Sequence, residues 1–122
     1  MIRRSGEMKT EVRERMRGGE GAVTIRHYFN REDFTANVRL CASLRLPPGA
    51  SIGVHQHEGE DEVYLVTRGT GILDDGRTRT PVSAGDAVLT GRGESHAIRN
   101  SGPDELELIA VIVCYPPPPA AK

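Results

Sequence analysis

The sequence has few aromatic residues, few cysteines and no long apolar run. It has no tryptophan and only 4% aromatic residues, which leaves little material for a platform that stacks nucleic-acid bases. Its 16 basic side chains are balanced by 17 acidic ones, which argues against binding nucleic acid by neutralising phosphates. Nowhere do about 18 apolar residues follow one another, as a membrane-spanning helix requires. We therefore expect neither a nucleic-acid partner nor a membrane partner.

The two cysteines, Cys41 and Cys114, are too few for a disulfide framework. They also lack the CxxC spacing of a zinc or redox pair. We interpret both as small buried apolar side chains. The first residues contain basic side chains but no apolar run of the length that a secretory signal needs, so we expect a cytoplasmic protein.

The 122 residues correspond to one ordinary domain. The 14 glycines and 8 prolines exceed average usage and favour many short elements joined by tight turns. We predict three parts: a loosely ordered N-terminal arm over residues 1–20, a single domain over 21–115 and a proline-rich C-terminal tail over 116–122.

Alternation of apolar and polar residues predicts antiparallel strands in the central part. The predicted strands cover residues 22–29, 38–46, 62–67, 71–73, 87–90, 96–100 and 106–114. Turn signals such as DDG, SAGD and SGPD separate them. Short strands at this spacing predict an all-β sandwich or barrel with little helix.

The last predicted strand, LELIAVIVC, is apolar on both of its faces. One face packs in the core, and the other meets either a second copy of the protein or the N-terminal arm. Because a small domain with such a strand buries more apolar area when it pairs, we predict a homodimer.

Three histidines and one glutamate are spaced as metal ligands could be. His55 and His57 are separated by one residue, so in an extended segment their imidazoles project from one face, roughly 6.5–7 Å apart. A GED turn brings Glu62 back beside them, and His96 comes from a separate strand. Three neutral imidazoles and one carboxylate suit one divalent ion of Mn, Fe, Co, Ni, Cu or Zn. Coordination positions that these side chains leave open are what a catalytic site needs.

Two neighbours of Glu62 are alternatives to it as the carboxylate ligand. Glu60 and Asp61 directly precede it in the sequence. Their other interpretation is a solvated loop that helps to attract cations. We expect Glu62 to be the ligand.

For four further side chains, a role in ligand binding is weighed against a purely structural or solvated one. Tyr64 shares a face with the metal-ligand candidate two residues before it, and it either donates a hydrogen bond to substrate or only packs. Arg39 and Arg99 either pair with an anionic ligand or are solvated. His27 is interpreted as a core or interface histidine. Of these four, we predict only Tyr64 to bind substrate.

Two stretches, GASIGVHQHEGEDEVYLVTRG and GDAVLTGRGESHAIRN, resemble the two sequence motifs of the cupin superfamily. The spacing of glycines, histidines and glutamate agrees with both motifs throughout. The one departure is Gly91, where the family pattern has a proline that shapes a turn. The resemblance implies a compact antiparallel jelly-roll barrel, typical of small bacterial cupins. It also implies the same four metal ligands, namely His55, His57, Glu62 and His96.

The resemblance permits several activities, among them dioxygenase, oxalate-type decarboxylase and sugar isomerase. A divalent ion with one carboxylate ligand keeps a net charge near +1 and attracts an anion that chelates through two oxygens. We predict a metal-dependent enzyme acting on a small polar or anionic molecule. The alternative is a noncatalytic cupin that binds or senses a small ligand.

Overall fold

Ten strands build two antiparallel sheets in residues 1–117, the part of the chain that the computed structural model describes. The strands are β1 (Lys9–Glu14), β2 (Ala22–His27), β3 (Val38–Leu46), β4 (Ser51–Gln56), β5 (Glu60–Arg68), β6 (Thr70–Asp74), β7 (Arg79–Ser83), β8 (Ala87–Thr90), β9 (Ser95–Asn100) and β10 (Leu106–Cys114). One sheet has the order β1-β2-β3-β10-β5-β8, and the other has the order β4-β9-β6-β7.

The predicted all-β, antiparallel jelly-roll architecture is confirmed. Every strand pair in the two sheets is antiparallel. The described residues contain only short 3-10 turns as helix, at Ser5–Glu7, Met16–Gly18 and Arg31–Asp33. The two sheets are not closed into one continuous barrel. None of the described helices is long and apolar enough to cross a membrane.

The core lies between the two sheets and follows the alternation of the strands. On β10, Leu106, Leu108 and Ala110 are all 0% exposed. Ile52 on β4 and Ile98 on β9 enter the same apolar cluster from the second sheet. This burial of every second residue is what the sequence pattern predicts for half-buried strands.

The N-terminus differs from the predicted loose arm. Residues Lys9–Glu14 pair along their whole length with Ala22–His27, so β1 forms the edge of the larger sheet. This strand carries mostly exposed polar side chains, and backbone hydrogen bonds hold it. No apolar stripe marks such a strand in the sequence. Of the predicted proline-rich tail, residues 118–122 lie outside the described part of the chain.

Two other strands, β4 and β7, were not in the predicted set. The side chains of β7 are mostly exposed, it contains Pro81, and it lies at the edge of the smaller sheet, where a missing backbone donor is tolerated. The cysteines also differ from prediction, since Cys41 and Cys114 are only half-buried.

Three strand pairs contain a register irregularity, and two of these place side chains near the histidines. In β4, Ile52 pairs with Ile98 but His55 pairs with His96, so β4 has one extra residue there. As a result Ile52 and His55 both face inward, whereas Val54 is 69% exposed. A bulge re-aims side chains in this way, because the inserted residue shifts the alternation by one.

The second irregularity lies between β3 and β10. Ile112 pairs with Leu40, and Val113 pairs with Val38, so Arg39 is the residue that has no partner in the ladder. Strict alternation would place Arg39 on the face opposite to Leu40. The bulge instead turns the guanidinium of Arg39 toward the carboxylate of Glu60, to which it donates two hydrogen bonds.

Candidate metal centre

The four predicted ligands meet at one point between the sheets. The Nε2 atom of His96 lies 3.0 Å from the Nε2 atoms of both His55 and His57. The Glu62 Oε1 atom lies 2.9 Å from His96 Nε2 and 2.8 Å from His57 Nε2. The four ligand atoms are all within 4.8 Å of one another. The chain thus brings together side chains from β4, β5, β9 and the turn after β4.

The other ring nitrogen of each histidine has its own partner. His55 Nδ1 lies 2.8 Å from the Gly53 carbonyl oxygen, and His57 Nδ1 lies 2.8 Å from Glu60 Oε1. Carbonyl and carboxylate oxygens only accept, so both Nδ1 atoms donate. In a neutral imidazole the Nε2 atom is then left with a free lone pair. His96 Nδ1 lies 2.8 Å from the Thr90 hydroxyl oxygen, which can accept a hydrogen bond from it or donate one to it.

This donor set fits a divalent metal ion. When Nδ1 carries the ring proton, the Nε2 lone pairs face one another and a carboxylate oxygen at 2.8–3.0 Å, an arrangement that is repulsive without a cation among them. Ligand atoms that share an ion at about 2.1 Å lie about 3.0–3.4 Å apart when they are neighbours in its coordination shell. Three nitrogens and one oxygen suit Mn, Fe, Co, Ni, Cu or Zn.

Burial and charge keep Glu62 and His96 in the protonation states that a metal needs. Burial alone raises the pKa of Glu62, but hydrogen bonds to His55 and His96 and the nearby imidazole charges lower that pKa to about 2. Burial lowers the pKa of His96. At neutral pH the site therefore offers an ionised carboxylate and a neutral imidazole.

Glu60 is a supporting group for His57. Arg39 donates two hydrogen bonds to the Glu60 carboxylate, at 2.6 and 2.7 Å, and these lower the pKa of Glu60 to about 2. The same carboxylate accepts from His57 Nδ1, as the outer partner of a ligating histidine does. Sequence reasoning missed this role, although the two-residue spacing of Glu60 and Glu62 on one strand was a usable signal.

Asp61 faces away from the cluster. Its Oδ1 atom accepts a hydrogen bond of 2.6 Å from the Tyr115 hydroxyl. A Cβ atom added at Gly91 would overlap this same oxygen. The glycine that replaces the proline of the cupin motif therefore makes room for the Asp61 carboxylate.

A cavity of about 140 Å³ adjoins the cluster. His55, His57 and Glu62 form part of its wall, and Tyr64 forms another part. The Tyr64 ring is 1% exposed and stacks on His96, with ring centroids 4.8 Å apart and an interplanar angle of 16°. Tyr64 thus packs against a candidate ligand and also borders the space beside it.

The two remaining candidates, His27 and Arg99, lie in different places, one at the cavity and the other on the outer surface. His27 lies on the wall of the same cavity, with Nε2 3.4 Å from Glu11 Oε1. Arg99 is exposed on the outer side of the smaller sheet, where it borders an open depression of about 1000 Å³. None of the four cluster residues lines that depression.

Comparison with known proteins gives a consistent result. The profile of the Cupin domain family matches residues 42–112. A relative named "Oxalate-binding protein" from Thermotoga maritima is 43% identical over 113 residues, which cover 93% of each chain.

Solved structures agree with this assignment. The crystal structure described as "a predicted oxalate decarboxylase" from Thermotoga maritima superposes with a TM-score of 0.89 at 43% identity, over 93% of this chain and 99% of that one. The polyketide cyclase RemF from Streptomyces resistomycificus gives a TM-score of 0.74 at 22% identity, over 98% and 83% of the two chains, and this shows the fold alone. Because the profile matches more than half of the chain and the relative matches nearly all of it, the protein belongs to the cupin family.

Proposed function

We propose that this cupin binds one divalent transition-metal ion through His55, His57, Glu62 and His96. The proposal rests on one observation: three imidazole nitrogens and a carboxylate oxygen converge in a buried site. When bound, such an ion supplies Lewis-acid polarisation of an oxygen on a ligand in its open positions. The side chains around the cluster then decide which ligand enters.

The ligand that we propose is a small dicarboxylate of the size of oxalate. A cavity of about 140 Å³ has room for about five water-sized groups. Arg13, Arg17 and Arg39 line it together with Glu11 and Glu62, so with a divalent ion at the cluster its charge favours an anion. We assign Tyr64 to the wall that the ligand contacts. The name of the Thermotoga maritima relative, "Oxalate-binding protein", supports the choice of oxalate as a probe.

Turnover of the dicarboxylate is the second part of the proposal. Loss of CO2 from oxalate breaks the C–C bond, leaves its electron pair on the remaining carbon and requires one proton there, giving formate. His27 and Glu11 form a hydrogen-bonding titratable pair on the cavity wall, outside the four-residue cluster, and we assign proton delivery to this pair. A noncatalytic binding protein has the same metal site but no such turnover.

We expect manganese-loaded protein to bind oxalate at least about tenfold more tightly than acetate, because only a dicarboxylate chelates the ion and meets the arginines together. Isothermal titration calorimetry measures both affinities, with metal-free protein as the control that should not bind. Equal affinity for the two anions, or no binding, contradicts the proposal. Formate released from oxalate distinguishes an enzyme from a binding protein.

We also propose a homodimer formed through the outer face of β10 and β5. Val111 pairs with Val63 there, and Ile109 pairs with Leu65, which makes a continuous apolar surface. Leu65 is 42% exposed. The N-terminal strand does not cover this surface, since β1 lies at the sheet edge, separated from β10 by β2 and β3. A second copy is the occupant that such a self-complementary patch suits.

Sedimentation tests the dimer directly. We expect the wild-type protein to sediment as a dimer at micromolar concentration and Leu65→Glu to sediment as a monomer, because a charge would be buried without a partner. Val54→Glu is the matched control, since Val54 is 69% exposed on the other sheet. A wild-type monomer, or a dimeric Leu65→Glu variant, contradicts the proposed interface.

We place the protein in the cytoplasm. Cys41 and Cys114 are both free thiols in the structure. Unpaired cysteines are typical of proteins from reducing compartments.

A further inference from the structure

The loop that connects β1 and β2 places an arginine at the cavity beside the metal cluster. We call residues 15–19 the Arg17 loop. Both Arg15 and Arg17 have left-handed backbone conformations, with φ of 50° and 55°. Residues other than glycine adopt this conformation rarely, and they keep it only where the surrounding structure enforces it.

Close packing on β4 enforces the shape of the Arg17 loop. A Cβ atom at Gly19 would overlap the carbonyl oxygen of Ser51, and one at Gly53 would overlap the carbonyl oxygen of Arg17. Glu20, which directly follows the loop, is bonded to β4: Ser51 N donates to Glu20 O at 2.9 Å, and Glu20 N donates to Ser51 Oγ at 2.8 Å. The loop is thereby fixed to the strand that carries His55.

The arginines that line the cavity differ in their partners. Arg13 forms an ion pair of 2.9 Å with Glu11, and Arg39 forms two hydrogen bonds with Glu60. Within residues 1–117, Arg17 makes neither an ion pair nor a side-chain hydrogen bond. Of the three arginines on the cavity wall, Arg17 is therefore the one whose guanidinium donors are free to bind a ligand.

We propose that Arg17 is the specificity-determining residue for the ligand, because its free guanidinium binds a carboxylate of the dicarboxylate held at the metal cluster. This inference rests on the proposed binding of a small dicarboxylate. A guanidinium presents a planar fork of N–H donors that matches a carboxylate. A monocarboxylate has only one such group and cannot meet the metal and the fork with separate carboxylates. The rigid loop keeps the fork in place before the ligand arrives, which lowers the entropic cost of binding.

Calorimetric titration of manganese-loaded protein with oxalate tests the role of Arg17. We expect Arg17→Gln to weaken oxalate binding about tenfold, because it removes a charge-assisted hydrogen-bond donor. Arg17→Lys keeps the charge but loses the planar fork of donors. Its oxalate affinity should therefore lie between that of the wild-type protein and that of Arg17→Gln. Manganese content should stay at the wild-type value in both variants, since Arg17 is not in the ligand cluster.

Arg15→Gln is the matched control. It removes the same charge from the same loop and from the same left-handed backbone conformation, but Arg15 does not line the cavity. At physiological salt its effect should stay below about twofold, because Arg15 does not border the cavity and acts on it only across screening solvent. An equal loss of affinity in Arg15→Gln and Arg17→Gln would indicate general electrostatic attraction and overturn the assignment.

A second variant tests the position of the fork with the guanidinium left intact. Gly19→Ala forces the Arg17 loop away from β4, so oxalate affinity should fall about as much as in Arg17→Gln. Gly6→Ala is the control, because nothing lies within 4 Å of its added Cβ. If a folded Gly19→Ala variant binds oxalate as tightly as the wild-type protein, the loop does not position the Arg17 guanidinium. If Gly19→Ala does not fold, the test rests on Arg17→Gln.

The outcomes separate the two proposals. If wild-type protein binds oxalate and Arg17→Gln binds it equally well, the assignment of Arg17 is wrong and the proposed function stands. If manganese-loaded wild-type protein does not bind oxalate, both proposals are wrong.

Discussion

His96→Ala should lower the bound metal from about one ion per chain to less than about 0.2, while the protein stays folded. His96 Nε2 lies within 3.0 Å of the ligand atoms of His55, His57 and Glu62, so its removal opens the site at its centre. Elemental analysis of protein reconstituted with manganese measures the loss, and circular dichroism checks the fold.

His27→Ala is the matched control for this experiment. His27 is a histidine on the wall of the same cavity, but it is not part of the ligand cluster. The control variant should keep its metal. Full metal content in His96→Ala, or equal losses in both variants, would refute the assignment of the ligands.

Glu60→Gln should weaken metal binding about 10- to 100-fold. The substitution removes the negative charge that accepts the hydrogen bond from His57 Nδ1. It also takes away the carboxylate to which Arg39 donates twice. Competition between the protein and a chelator for Zn²⁺ or Co²⁺ gives the affinity.

Glu58→Gln is the control for Glu60→Gln, because Glu58 is an exposed acidic residue in the same turn. It should leave the metal affinity unchanged. The size of the effect also tests whether Glu60 is itself a ligand, since the loss should then match that of His96→Ala. An unchanged affinity in Glu60→Gln would show that the Arg39–Glu60 pair does not support the site.

The sequence predicted well those parts of the fold in which one face of a strand is apolar. The predicted bounds of β3, β8 and β10 agree with the structure, because each of these strands turns one apolar face toward the common core. Strand β1 was missed because its exposed polar side chains pack in no core, and its pairing with β2 depends on the backbone.

The proximity of the four candidate ligands was also predicted from the sequence. The spacing of His55 and His57 places both on one face when the segment is extended, and a short turn returns Glu62 to them. The resemblance to the two cupin motifs supported the same set.

The side chains that surround the cluster were harder to predict, because their placement depends on local departures from regular strands. Arg39 reaches Glu60 through a bulge that interrupts the alternation of β3. Arg17 reaches the cavity through two left-handed residues and the close contact of Gly19 and Gly53 with neighbouring backbone. Neither the bulge of β3 nor the conformation of the Arg17 loop produces a periodic pattern in the sequence.

The central claim is that the four converging side chains bind one metal ion. An anomalous-difference map, recorded above and below the manganese absorption edge from crystals of manganese-loaded protein, tests it most directly. We expect one strong peak at about 2.1–2.3 Å from the three histidine Nε2 atoms and from a Glu62 carboxylate oxygen. A map with no peak at this position, or with its main peak elsewhere in the protein, would contradict the account.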